Sequence, residues 1–215
     1  MRALILLLAW LMTAGTASAA DPSALCDAAI DSAEYSGALP SGLLHAIAMV
    51  ESGRFDETTK TVRPWPWTIN AEGVGHYYTS KADAIGAVRA LQLRGVKSID
   101  VGCAQVNLMF HPDAFASLDE AFDPFANTAY AAKFLNRLHA AGDDWAKAIG
   151  AYHSETPALG DAYRVMVMLR WNGSHPAIMA KVQSAAYRDF RATSAVYGAF
   201  AQAGQAYGSF AAPAR

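Results

Sequence analysis

Apolar positions recur at helical spacing along most of the chain, interrupted by one irregular, aromatic stretch. Leu43, Ile47 and Val50 form one stripe, with Leu44, Ala48 and Glu51 on the next. This predicts a helix that starts at Pro40-Ser41 and stops at Gly53. Ahead of it, Ser23 or Asp21 caps a helix running to about Tyr35, with Cys26 in its first turn. From Arg54 to Tyr78 the helical period disappears. Pro64 and Pro66 hold Val62 to Asn70 extended, Ala71-Glu72-Gly73 turns the chain, and Val74 to Tyr78 returns as a short antiparallel strand.

Ser80 with Asp83 resembles a capping box and opens a helix through Ala84, Ile85, Val88 and Leu91 to Gly95. Ser98 to Asn107 alternates briefly and breaks at Gly102, and short helical turns follow at Pro112 and at 117–122. Asp123-Pro124 starts a firm helix (Tyr130, Phe134, Leu138) that Gly142 ends. Asp143 or Asp144 caps the next, with Trp145, Ile149 and Tyr152 on one face. Thr156-Pro157 opens another through Tyr163, Met166 and Trp171. The expectation is one α-rich domain, all-α or α+β, with a short β-hairpin and loop insertion.

The first twenty residues read as a secretory signal peptide. Met1-Arg2 is a basic start, Ala3 to Met12 is apolar, and Thr16 to Ala20 supplies small residues for cleavage. That stretch is too short for a membrane span, and no later segment is long and apolar enough for one. The expected product is exported to the periplasm of a bacterial envelope and soluble, with a domain over 21–190. A mobile tail rich in Ala, Gly and Tyr covers 191–215, uncharged from Thr193 to Ala214. Loss of Arg2 moves the formal charge from −2 to −3, which gives no electrostatic footprint for nucleic acid or an anionic membrane. Cys26 and Cys103 are the two cysteines, and an oxidising destination favours one disulfide over two buried thiols. None of the six histidines pairs with another His or a Cys at ligand spacing, so no metal is expected. His139 reads as a helix-face histidine and His153 as a loop histidine.

Glu51 stands at the end of an apolar helix, against hydrocarbon and beside backbone carbonyls. Desolvation and the negative end of the helix dipole both disfavour its ionised form. A carboxyl group neutral near pH 7 suits a general acid for glycosidic cleavage.

Three fragments then fall in order: Glu51-Ser52, Gly102-Cys103-Ala104-Gln105 followed by Val106-Asn107, and Ala151-Tyr152-His153. They resemble the motifs of the lytic transglycosylases that share the goose-type lysozyme fold: a Glu-Ser pair, a Gly-Leu-Met-Gln-like turn and an Ala-Tyr-Asn triplet. Ser98-x-Asp100-x-Gly102 is similar to the smaller, specialised members. The likeness spans roughly Leu25 to Ser154. Cys103 and Ala104 replace a bulky Leu-Met, and His153 stands where Asn is usual.

The resemblance implies a lysozyme-like domain cleaving the β-1,4 link between N-acetylmuramic acid and N-acetylglucosamine, with no cofactor. One Glu acts as acid and then as base, the substrate's acetamido group assists, and the product is a 1,6-anhydro sugar. By this likeness Glu51 is the acid/base, Gln105 and Tyr152 hold the sugar and the glutamate, and Ser52 and Ser98 add hydrogen bonds. Peptidoglycan strands are the implied partner; an envelope-spanning secretion, pilus or flagellar assembly fits the small size by analogy. Asp100 is read either as a second catalytic carboxylate, making a hydrolase, or as a turn-stabilising one that accepts backbone N–H bonds. Trp65, Trp67, Tyr77 and Tyr78 are read either as a sugar-stacking wall or as a plug under a long loop. Arg63 and Arg89 are read either as partners of substrate carboxylates or as solvated. The readings that remain are a transglycosylase, a lysozyme-type hydrolase, and an inactive peptidoglycan-binding module.

Overall fold

The structure, a computed structural model, describes residues 21–57 and 59–171. The leader expected at 1–20, the tail at 191–215 and the last part of the domain expected to reach 190 lie outside the described residues.

The helical layer assembles α1 (Pro22–Ser36), α2 (Leu43–Glu51), α5 (Pro124–Gly142), α6 (Trp145–His153) and α7 (Pro157–Trp171). Their shared core holds Cys26, Ile30, Leu43, Leu44, Ile47, Val50, Leu135, Ile149, Tyr163 and Val167. In α2, Leu43, Leu44, Ile47 and Ala48 are all completely buried, so neighbours enclose this helix on most sides. That enclosure explains its nearly unbroken apolar sequence. Asp21 caps α1, Asp123 caps α5 and Asp144 caps α6, each accepting a backbone N–H of the first turn. The start of α2 differs from the expectation at Pro40-Ser41. Gly42 is its N-cap at φ 77°, and the orphan N–H groups of Gly42 and His45 donate to the Glu34 carboxylate at 2.7 and 3.1 Å. The cap comes from α1, so no local signal marks it.

The second layer is a four-stranded antiparallel sheet in the order β4-β3-β5-β6: β3 (Thr68–Ala71), β4 (Val74–Tyr77), β5 (Ile99–Val101) and β6 (Val106–Asn107). Side chains alternate between its faces. Ile69, Ala71, Ile99 and Val101 pack with Ala84, Ile85 and Val88 of α3 (Lys81–Leu93) and Ala121 of α4 (Leu118–Ala121). The other face carries a polar row, with Gly75, Asn70, Asp100 and Asn107 as successive register partners.

A second hairpin was not foreseen: β1 (Gly53–Asp56) pairs with β2 (Thr61–Pro64). Gly53 does end the helical run as expected, but the chain enters a strand at once. A Cβ there would lie 2.3 Å from the Met49 carbonyl oxygen and 2.8 Å from Val62 Cγ1, which makes glycine necessary.

The turn Gly102–Gln105, between β5 and β6, is buried throughout and joins the two layers. Gly102 sits at φ 82°, with Asn127 2.5 Å from where its Cβ would stand. Its N–H donates to the Thr68 carbonyl at 3.0 Å. Asn127 accepts from Ala104 N at 2.9 Å and donates to the Val101 and Ala121 carbonyls, both at 3.0 Å. Ser52 donates to the Cys103 carbonyl at 2.6 Å, and Tyr152 to the Ala104 carbonyl at 2.8 Å. The Cys26–Cys103 disulfide, spanning 77 positions, ties the turn to α1. Loop closure of that length contributes about 4 kcal/mol.

Asn127→Ala leaves the Ala104 N–H buried without its acceptor and should lower unfolding free energy by about 2 kcal/mol or more. Equilibrium denaturation measures this. A change below about 0.5 kcal/mol, the range of ordinary surface substitutions, contradicts the role given to Asn127.

Candidate active site

Glu51 is the last residue of α2, where the chain leaves the helical core for β1. Its neighbours Ala48, Val50 and Ser52 are buried while Glu51 keeps part of its surface open. Asp100 from β5, Tyr152 from α6 and Tyr163 from α7 all act on it electrostatically. Four elements from both layers thus converge on one carboxyl group.

Burial is the main reason that the Glu51 carboxyl is pushed up to about 8. Tyr163 opposes the shift by favouring the ionised form, and the negative charge of Asp100 adds to it. The Tyr163 hydroxyl faces Glu51 closely enough to act in this way. It is buried, yet it completes no hydrogen bond of standard geometry among the described residues. Asp100 is pushed up to about 6 by burial, against a stabilising 2.7 Å hydrogen bond from Asn107 Nδ2. Desolvation also raises Tyr152 and Tyr163 well above the usual phenol range, so both stay neutral hydroxyls. Burial thus raises Glu51 further than Asp100, which favours the proton on Glu51 when the two share one. One fold then sets two carboxyl groups of unequal acidity close together, the arrangement that acid chemistry uses.

The residues expected around Glu51 are brought together, but their duties differ. Ser52 is completely buried, and its hydroxyl is committed to the Cys103 carbonyl. It cannot touch a sugar; it locks the end of α2 to the turn. Gln105 is 8 % exposed and spends both amide hydrogens inward, on the Thr68 carbonyl at 3.0 Å and the Gly102 carbonyl at 2.9 Å. Its backbone is left-handed, at φ 47°. Tyr152 donates its proton to Ala104 and retains oxygen lone pairs beside Glu51. Ser98 is exposed just before β5 and accepts from Asn107 Nδ2 at 2.9 Å, so it reaches Asp100 through Asn107.

Asp100 accepts no backbone N–H among the described residues, which removes the reading of it as a turn-stabilising carboxylate. Trp67 packs on the sheet core. Trp65 meets Trp67 edge-on at 5.9 Å, donates its Nε1–H to the Tyr78 carbonyl at 2.7 Å and lies under the Arg54 guanidinium at 4.2 Å. Arg63 pairs with Asp21 and Asp27 and fastens β2 to α1, so it is not a free substrate ligand. His153 is the last residue of α6 and not a loop residue. It stacks on Tyr163 at 4.7 Å with planes 6° apart, and burial lowers it to about 4.

Sequence reasoning missed two functional positions. Tyr163 has the spacing of a core residue and is one, at 2 % exposed, while its hydroxyl end belongs to the site. Asn127 lies on a helix face with no flanking motif. An Asn about one turn into a capped helix was the only local hint, and the structure shows why it stands there: it is buried and its amide finds partners.

The family model for the transglycosylase SLT domain matches residues 28–164, well over half of the chain. No curated protein and no solved structure matches it.

Substitutions should move the Glu51 titration in opposite directions. Asp100→Asn removes a like charge and lowers its midpoint; Tyr163→Phe removes a group favouring ionisation and raises it. Carboxyl-labelled NMR titration reads both, and shifts of the same sign, or none, contradict the described arrangement.

Proposed function

The chain belongs to the transglycosylase SLT family, whose members are lytic transglycosylases acting on peptidoglycan, and we propose a specific reaction for it. The protein cleaves the β-1,4 bond between N-acetylmuramic acid and N-acetylglucosamine without water and leaves a 1,6-anhydro end. The observation that carries this reading is the match to the transglycosylase SLT domain together with the Glu51 carboxyl, set at the end of α2 and pushed by burial toward its neutral form.

In the proposed sequence the Glu51 carboxylic acid gives its proton to the glycosidic oxygen as the C1–O bond breaks. The acetamido oxygen of the same muramyl residue bonds to C1 and takes up the positive charge. Glu51, now a carboxylate, removes the proton of the C6 hydroxyl, whose oxygen displaces the acetamido oxygen at C1. Glu51 ends protonated, ready for the next bond. Asp100 stabilises the cationic stage as a nearby anion. Tyr152 and Tyr163 orient the carboxyl group, Gln105 braces the turn beneath it, and Ser98 holds Asp100 through Asn107. Trp65 and Trp67 border this region and offer aromatic surface to the glycan. The disulfide suits an oxidising compartment, which supports export to the periplasm as part of the same proposal.

One observation favours a second reading. A second buried carboxylate facing the acid is the equipment of a hydrolytic lysozyme, and Asp100 is such a group. Mass spectrometry of digested sacculi separates the readings. Anhydromuropeptides are expected, whereas reducing-end muropeptides indicate hydrolysis and intact sacculi indicate a binding module. Glu51→Gln should lower the rate at least about 100-fold while the protein stays folded by circular dichroism. A variant retaining near wild-type turnover removes Glu51 from the mechanism.

A further inference from the structure

Four aromatic residues lie between β2 and α3, and the structure sorts them. Trp67 and Tyr78 are half-buried against the apolar core of the sheet. Trp65 is half-buried too: it meets Trp67 edge-on, and the Arg54 guanidinium covers one of its faces at 4.2 Å. Tyr77 differs. It remains 45 % exposed, and its hydroxyl donates to the Gly53 carbonyl at 2.8 Å. The reaction described above does not use it.

Register fixes the face on which this ring stands. Tyr77 pairs with Thr68, and Thr68 shares a face of β3 with Asn70, the partner of Asp100. Tyr77 is therefore on the polar face of the sheet, the one that presents Asp100 to Glu51. Its hydroxyl reaches Gly53, two positions beyond Glu51, so the ring bridges from the sheet to the strand that leaves the acid. β4 is an edge strand of this sheet, and Gly75, two positions before Tyr77 on the same face, has no side chain to lie over the ring. The result is an open aromatic plane whose hydroxyl is already anchored. Tyr offers rigid contact area at low entropic cost, and the anchor reduces that cost further. The C–H face of a pyranose is apolar and matches such a plane. Two strand spacings and two residues separate Tyr77 from Asp100, about 12 Å between backbones. That exceeds the length of one pyranose ring, so a sugar on Tyr77 is a different unit from the one at Asp100.

We propose that Tyr77 forms a sugar-binding subsite, its exposed ring stacking on a pyranose of the glycan strand beyond the unit held at Asp100. This assignment rests on the peptidoglycan reading above. It gives the β3–β4 hairpin a part in holding the strand that is separate from the proton chemistry of Glu51.

The test uses the full chain carrying Glu51→Gln as parent, so that glycan binds without turnover. Calorimetry measures its affinity for a chito-hexasaccharide, alone and with a series of changes at Tyr77. Tyr77→Leu keeps apolar bulk but removes the flat ring, and should weaken binding about fivefold to tenfold. Tyr77→Phe keeps the ring and loses the bond to Gly53; it should stay within about twofold of the parent, and Tyr77→Trp should bind at least as well as Tyr77→Phe. Unchanged affinity in Tyr77→Leu overturns the subsite. A loss in Tyr77→Phe as large as in Tyr77→Leu makes Tyr77 a strut between β4 and β1 and also overturns it, as does loss of folding in both. A parent that binds no glycan removes the peptidoglycan reading and the subsite together. Should wild-type protein leave sacculi intact while the ring dependence persists, the cleavage proposal falls and the subsite stands.

Discussion

The chain reverses direction between β5 and β6 inside the protein, where water cannot satisfy the backbone. Every consequence for the site follows from how that reversal is made tolerable. Groups at the C-cap of α2 and on α5, α6 and β3 supply the missing partners: Ser52 to Cys103, Asn127 to Ala104, Tyr152 to Ala104, and the Thr68 carbonyl to Gly102. The disulfide adds α1 to the same node. Buried polar groups are worth little net when paired and cost much when unpaired. The network therefore fixes one arrangement of the two layers more than it adds raw stability. It also explains why motif residues that look like substrate ligands face inward. Ser52 and Gln105 build the floor on which Glu51 and Asp100 are set.

The chemistry depends on the same seam. The helical core brings hydrocarbon to Glu51, and the polar face of the sheet brings Asp100. Neither layer alone separates the two carboxyl groups into an acid at about 8 and an anion at about 6. Holding Glu51 this way has a cost in stability that depends on pH. Its folded value lies above the ordinary carboxyl range, so the folded state binds a proton that the unfolded state releases. The penalty is absent below about pH 4 and grows as pH rises to about 8, where the native state must bury a charge.

Much of this was legible in the sequence where the signals are local. The Asp-Pro start of α5, the Ser80 cap of α3 and the Gly102 break between β5 and β6 each come from a few adjacent residues. Glu51 was readable because an apolar helix ended on it, and its burial follows from that pattern. What escaped was long-range. Glu34 caps α2 from another helix, Arg63 is consumed by Asp21 and Asp27, and the partners of Ser52 and Gln105 appear only once the turn closes. Tyr163 escaped for another reason: helical periodicity explains its ring fully and says nothing of its hydroxyl.

The central claim is that a neutral, solvent-shielded Glu51 is the proton donor. The pH dependence of kcat/KM on solubilised peptidoglycan strands tests it most directly, since that profile reports the ionisations of the free enzyme. The account predicts a descending alkaline limb with its midpoint near 8, where Glu51 loses its proton. A rate that instead continues to climb from pH 7 to well above 8 shows that the ionised form is the active one and contradicts the account.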